Sequence, residues 1–177
     1  MADVETLRFP NGRFVRPTAP LGDEERDALI QDIARMPAAL RAVVTGLSDG
    51  QLQRPYRPGG WTVRQVCHHL PDSHVNAYVR MKLAATEDAP TIKPYAEARW
   101  AELPEAKTGP VEVSLDLLDA LHFRWTSFLR DLSPADFRRT YVHPDMGAVP
   151  LDAAVALYAW HGKHHTAHVE LAVGLRA

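Results

Sequence analysis

Apolar residues recur at intervals of three and four along most of this chain, the spacing that marks one face of an α-helix. Leu29, Ile33, Met36, Leu40, Val43, Val44 and Leu47 form such a line and predict a first helix over 23–47. Pro37 lies inside it and should bend it, because proline brings no N–H to the helical ladder. Val63, Val66, Cys67, Leu70, Ala77, Tyr78 and Met81 predict a second helix over 62–86, begun at Thr62 and kinked near Pro71. Leu118, Leu121, Trp125, Phe128 and Leu132 predict a third over 114–132. A fourth runs over 151–175, with Ala154, Leu157, Tyr158, Leu171, Ala172 and Leu175 along its stripe. Strand signals are scarce. The expected fold class is all-α, a bundle of four long helices.

The connections differ in length. Ser48-Asp49-Gly50 reads as the start of a turn or short helix, Arg57-Pro58-Gly59-Gly60 as a loop, Ser133 to Phe137 as a short helical turn, and His143 to Gly147 as a loop. Residues 1–21 are proline-rich and predict an irregular N-terminal arm packed on the bundle. Residues 87–111 hold four prolines and few aliphatic side chains. A structureless connector of that length is expected to cover or wall a site. No internal repeat is present, so 1–177 is expected to form a single domain.

Composition narrows the function. The net charge is −2, which gives no basis for nucleic acid or an anionic membrane as partner. No run of about 18 apolar residues occurs, and the first residues lack an apolar signal core. A cytoplasmic location is the expectation. The single Cys67 excludes an internal disulfide and a paired-cysteine zinc site. Cys67 falls on the apolar line of its helix, so a buried inert thiol is expected rather than a nucleophile. Histidine is the outlier: seven of the nine lie within 68–74 and 161–168.

Trp160-His161-Gly162-Lys163-His164-His165-Thr166-Ala167-His168 is the most informative stretch. At about 100° per residue, His161, His164, His165 and His168 share the face of the apolar stripe, so all four point inward. Histidines at i and i+4 can share one metal ion. Three neutral imidazoles leave a divalent ion its full charge and a vacant position, which is the catalytic arrangement. The alternative is a set of histidines hydrogen-bonded in a polar core, which leaves many imidazoles to satisfy. The third ligand must come from another helix, with His68, His69 and His74 as candidates. A helical wheel favours His74, which is centred on the apolar stripe. His69 lies on a polar face with Thr62, Gln65, Ser73 and Asn76 that could border a cleft. His122 and His143 are spares. Asp72, Asp119 and Glu170 are candidates to accept the second N–H of a ligand imidazole. Lys93, Tyr95 and Trp100 could hold a substrate's carboxylates or stack on it; alternatively the two aromatics pin the long connector.

Gly59-Gly60-Trp61-Thr62-Val63-Arg64-Gln65-Val66-Cys67-His68-His69-Leu70 resembles the signature of the DinB/YfiT-like proteins, in particular the YfiT branch. The likeness continues through Asp72-Ser73-His74, Thr86 to Tyr95, Trp100 to Leu103, Tyr141 to Asp145 and Leu157 to His161. The resemblance implies a four-helix bundle with one divalent metal per chain, zinc or nickel, held by His69, His161 and His165. It thus chooses His69 over the wheel's His74. His74, His164 and His168 become supporting or pocket residues, and a homodimer is expected. Pro71 and Gly162-Lys163 depart from the pattern without removing a ligand. Such proteins are described as metal-dependent hydrolases or as S-transferases for small thiols of the bacillithiol type. The expected partner is therefore a small-molecule thiol or a hydrolysable substrate. No His-Glu-x-x-His motif supplies a general base, which favours thiol transfer. A non-catalytic metal-binding bundle is the remaining class, and a fourth histidine ligand, His74 or His168, would support it.

Overall fold

Each of the four apolar stripes becomes a long helix in a computed structural model, which describes residues 3–176. Met1, Ala2 and Ala177 lie outside the described residues. The order is α1 (Val4–Arg8), α2 (Asp23–Val44), α3 (Asp49–Leu52), α4 (Val63–Thr86), α5 (Glu97–Trp100), α6 (Pro104–Thr108), α7 (Val111–Arg130), β1 (Thr140–His143), β2 (Gly147–Pro150) and α8 (Leu151–Val173). Helices α2 and α4 continue unbroken through Pro37 and Pro71, both buried.

The helices α2 and α4 each pack against both α7 and α8, so α2 and α4 stand at opposite corners. Trp125, Leu129, Met81, Ile33 and Leu151 close one half of the core, and Leu40, Leu70, Leu118 and Val169 the other. Between the halves lies a polar layer that contains His74 and His122, exposed by only 1% and 2%. The arm crosses the bundle and is tied by a buried ion pair. Arg26 Nε donates to Asp152 Oδ1 at 2.8 Å, and the Leu21 N–H donates to Asp152 Oδ2 at 3.1 Å.

Three expectations change. The arm is not wholly irregular, since Val4–Arg8 is helical. The 87–111 connector is not structureless: it holds α5 and α6, and Ile92 N–H donates to the Val142 carbonyl at 3.0 Å. The loop at 143–147 is the tip of a two-stranded antiparallel hairpin, with Tyr141 paired to Val149. Gly147 turns it at φ 69°, a left-handed angle that favours glycine. Strands of four residues carry too few alternations to register as a period.

Candidate metal centre

Local sequence chemistry places His69. Thr62 and Gln65 form a reciprocal cap on α4: the Gln65 N–H donates to Thr62 Oγ1 at 3.2 Å, and the Thr62 N–H to Gln65 Oε1 at 2.9 Å. Gln65 Nε2 also donates to the Ala101 carbonyl at 2.7 Å, fastening the connector to this turn. Trp61 then packs on the His69 ring at 4.7 Å between centroids. On α8, Gly162 sets the depth of its neighbours. A Cβ there would meet Met36 Cγ at 2.6 Å, so glycine permits the close approach of α8 to α2.

These constraints bring His69, His161 and His165 together. Their candidate ligand atoms all lie within 4.8 Å of one another. His69 Nε2 and His161 Nε2 are 3.4 Å apart. Tetrahedral zinc with Zn–N bonds of about 2.0–2.1 Å holds its nitrogens roughly 3.4 Å apart, so the spacing suits a shared ion. Burial keeps the donors neutral. It lowers the His69 imidazole to about 4, with His168 a lesser cause. His161 and His165 fall well below the ordinary value for the same reason, with neighbouring imidazoles contributing. Neutral imidazole is the form that ligates metals.

Hydrogen bonds decide which nitrogen carries the proton. His122 Nδ1–H donates to the Ile33 carbonyl at 2.7 Å. Burial lowers His122 to about 4, so it is neutral and its Nε2 can only accept. That Nε2 lies 2.7 Å from His74 Nδ1, so His74 donates. Burial also holds His74 neutral, and its Nε2, 3.0 Å from His161 Nδ1, must accept. His161 therefore carries its proton on Nδ1 and presents an Nε2 lone pair toward His69. A shorter chain acts on His165. His168 Nε2–H donates to the Arg8 carbonyl at 3.2 Å, leaving His168 Nδ1 to accept from His165 Nδ1–H at 3.4 Å. His165 likewise keeps its Nε2 lone pair. These partners are histidines and backbone. Asp119 instead binds Arg41, Glu170 lies near Arg176, and Asp72 has no recorded contact with the imidazoles.

The three imidazoles open into a cavity of about 910 Å3. His164 and His168 line it too, His164 stacked on Trp160 at 4.3 Å and His168 on Tyr56 at 3.8 Å between centroids. Of the connector residues, Tyr95 lines the cavity, but Lys93 and Trp100 do not. The Lys93 side chain is exposed, and Trp100 packs on Tyr95 at 4.6 Å. His143, taken as a spare, is at the cavity wall. His68 faces elsewhere and bonds Ser114 and the Gly109 carbonyl. Cys67 is fully buried, and burial pushes its thiol up to about 12, which rules it out as a nucleophile at neutral pH. Ser73, expected beside His69 on a face that could border a cleft, does line the cavity, whereas sequence reasoning missed Arg80. The signal for Arg80 was available: eleven residues after His69, it shares the helical face of His69 and Ser73.

The DinB superfamily model matches residues 32–169. A protein of Bacillus mycoides named "Putative metal-dependent hydrolase" is 52% identical over 94% of this chain and 95% of its own length. A Bacillus cereus protein with the same kind of name is 53% identical over the same shares. Among solved structures, YfiT from Bacillus subtilis, described as "a probable metal-dependent hydrolase with an unusual four-helix bundle topology", superposes with a TM-score of 0.92 at 45% identity, over 96% of this chain and 98% of that one.

Proposed function

The chain belongs to the DinB superfamily, and we propose that it is a metal-dependent enzyme whose His69, His161 and His165 hold one divalent ion, zinc or nickel. The carrying observation is the convergence of three neutral imidazoles, two with their Nε2 lone pairs unclaimed by any group outside the trio, at the wall of a large cavity. A divalent ion held there would supply Lewis acidity and lower the pKa of a bound thiol or water. The protein's own contribution is orientation and shelter. Trp61 and α8 confine the imidazoles, and Tyr95 walls the approach.

Within that class the reading we favour is transfer of a small thiol. The thiolate sulfur attacks an electrophilic carbon, a new C–S bond forms, and the leaving group departs with its bonding electrons while the thiol proton passes to solvent. Two features support it. The cavity is near the upper end of small-molecule sites, about 300–1,000 Å3, and so has room for two reactants. The acidic residues lining it, Glu97 and Asp145, are exposed, and Asp145 lies against His143 rather than the three converging imidazoles; a thiol needs less help from a base than water does. Hydrolysis by activated water is the second reading, favoured by the names of the relatives.

The two separate in one assay. Metal-loaded protein is expected to accelerate conjugation of a cysteine-based small thiol to a haloalkane or haloarene, and a chelator to stop it. Metal-dependent cleavage of esters or amides, with no acceleration of thiol conjugation, would decide for hydrolysis.

A further inference from the structure

Three arginines, Arg8, Arg57 and Arg80, line the same cavity as the histidines, and among the described residues none has a recorded acidic partner. Arg80 is the telling one because it is 9% exposed. A buried guanidinium normally has a carboxylate against it. Arg80 has neutral partners instead: its Nη2 donates to the Lys93 carbonyl at 3.1 Å, and the Tyr158 hydroxyl stands beside it and Ser73. Beyond the Lys93 carbonyl and the Tyr158 hydroxyl, both neutral, no acceptor for its N–H groups is found among the described residues, on a side chain that reaches the cavity wall. On the same cavity Arg57 Nε is buried and has no hydrogen-bond partner among the described residues. Tyr158 links this corner to the imidazoles, its ring 5.6 Å from that of His161.

We propose that Arg80, with Ser73, forms a binding subsite for an oxyanion group, a carboxylate or phosphate, on the substrate. The guanidinium fork matches either group in two-point contact. The part this subsite plays in turnover rests on the metal-enzyme reading above; the anion binding itself does not. It can therefore be tested on metal-free protein by NMR, following the arginine Nε–H signals during titration with succinate, inorganic phosphate and the uncharged succinamide. Succinate or phosphate should shift the Arg80 signal saturably, and whichever binds more tightly identifies the group. Succinamide should leave it unmoved. Arg80→Gln should weaken binding at least tenfold while taking up metal as wild type does. Equal binding of succinamide, or shifts confined to Arg8 and other exposed arginines, overturns the proposal. If Arg80→Gln does not fold, the wild-type titration alone still decides. Intact metal uptake without anion binding would sink this subsite and leave the metal centre standing.

A different observation carries a second inference. In an α-helix the Ile33 carbonyl should receive the N–H of residue 37, but residue 37 is proline. The freed carbonyl is the one that accepts from His122. From it the chain Ile33, His122, His74, His161 passes once through each long helix, α2, α7, α4 and α8. We infer that His122 and His74 are positioning residues, which hold His161 in the one tautomer able to ligate through Nε2. Long-range 15N–1H NMR of metal-free protein should find the proton on Nδ1 of all three. An Nε2–H on His161 overturns the inference. His122→Phe should give His161 a mixed tautomer population and about 10–100-fold weaker metal affinity. His122→Gln, which keeps a donor and an acceptor, should recover part of both; a purely space-filling role predicts that Phe serves better than Gln.

Discussion

His161→Ala should abolish tight metal binding. Wild-type protein is expected to retain close to one equivalent of zinc or nickel after passage over a weak chelator, and the variant to retain almost none. His161 stands where two arrangements meet: it faces His69 at 3.4 Å, and it ends the hydrogen-bond chain from His74. Its loss should therefore exceed the roughly 10–100-fold expected for removing an outer partner. His69→Ala and His165→Ala should behave alike. His68→Ala is the control, because that ring bonds Ser114 and the Gly109 carbonyl on another side of α4. The melting temperature offers an independent readout. An ion that binds only the native state at about 100 times its Kd adds roughly 2.7 kcal/mol. Metal should raise the melting temperature of wild type and His68→Ala, and not that of the three ligand variants. Full metal occupancy in His161→Ala would sink the assignment.

Metal-free protein should lose stability steeply between pH 6.5 and pH 4. Burial lowers His69, His122 and His168 to about 4 in the native state, against about 6.5 in the unfolded chain. Burial holds His74, His161 and His165 well below the ordinary value too. Above pH 6.5 both states are neutral at these rings and the histidines cost nothing. As pH falls below it, the unfolded chain takes up protons that the native state refuses, and each such proton costs about 1.4 kcal/mol per pH unit. The loss continues until the native rings also titrate, near pH 4 for the first three. Urea unfolding at pH 7, 6 and 5 measures it directly. A flat profile would mean that these rings are not buried in their neutral form. Bound metal should shift the loss to lower pH, since protons must then displace the ion.

Much of the site was legible along the chain. The fourth helix announced itself, because its imidazoles fall on the same 3.6-residue face as Ala154 and Tyr158, and all of His164, His165 and His168 prove buried. The choice between His69 and His74 was not legible from periodicity. A wheel ranks residues by how central they are to the apolar face, and His74 is the more central and the more buried at 1% exposure. That depth is what takes it past the cavity, into hydrogen bonds with His122 and His161. His69 sits at the border of the apolar face, where a side chain can touch both core and cavity. Only the resemblance to other sequences selected it. The connector shows the reverse error. Its prolines suggested a loop, yet Pro104 occupies the first turn of α6, where a missing N–H costs nothing.

What the sequence determined by itself is what depends on local spacing. The four helices follow from periods of three and four, the start of α4 from Thr62 and Gln65, and the pairing of His161 with His165 from one turn of helix. Tertiary structure decided what depends on direction between elements. It made His69 rather than His74 converge with both members of that pair, gave His161 and His165 their hydrogen-bond partners, and left Arg80 without a carboxylate. The physical reason is range. Helical periodicity acts over a few residues, whereas a hydrogen bond such as that from His122 to Ile33 joins residues 89 apart in sequence, and its donor is chosen only once the helices have packed.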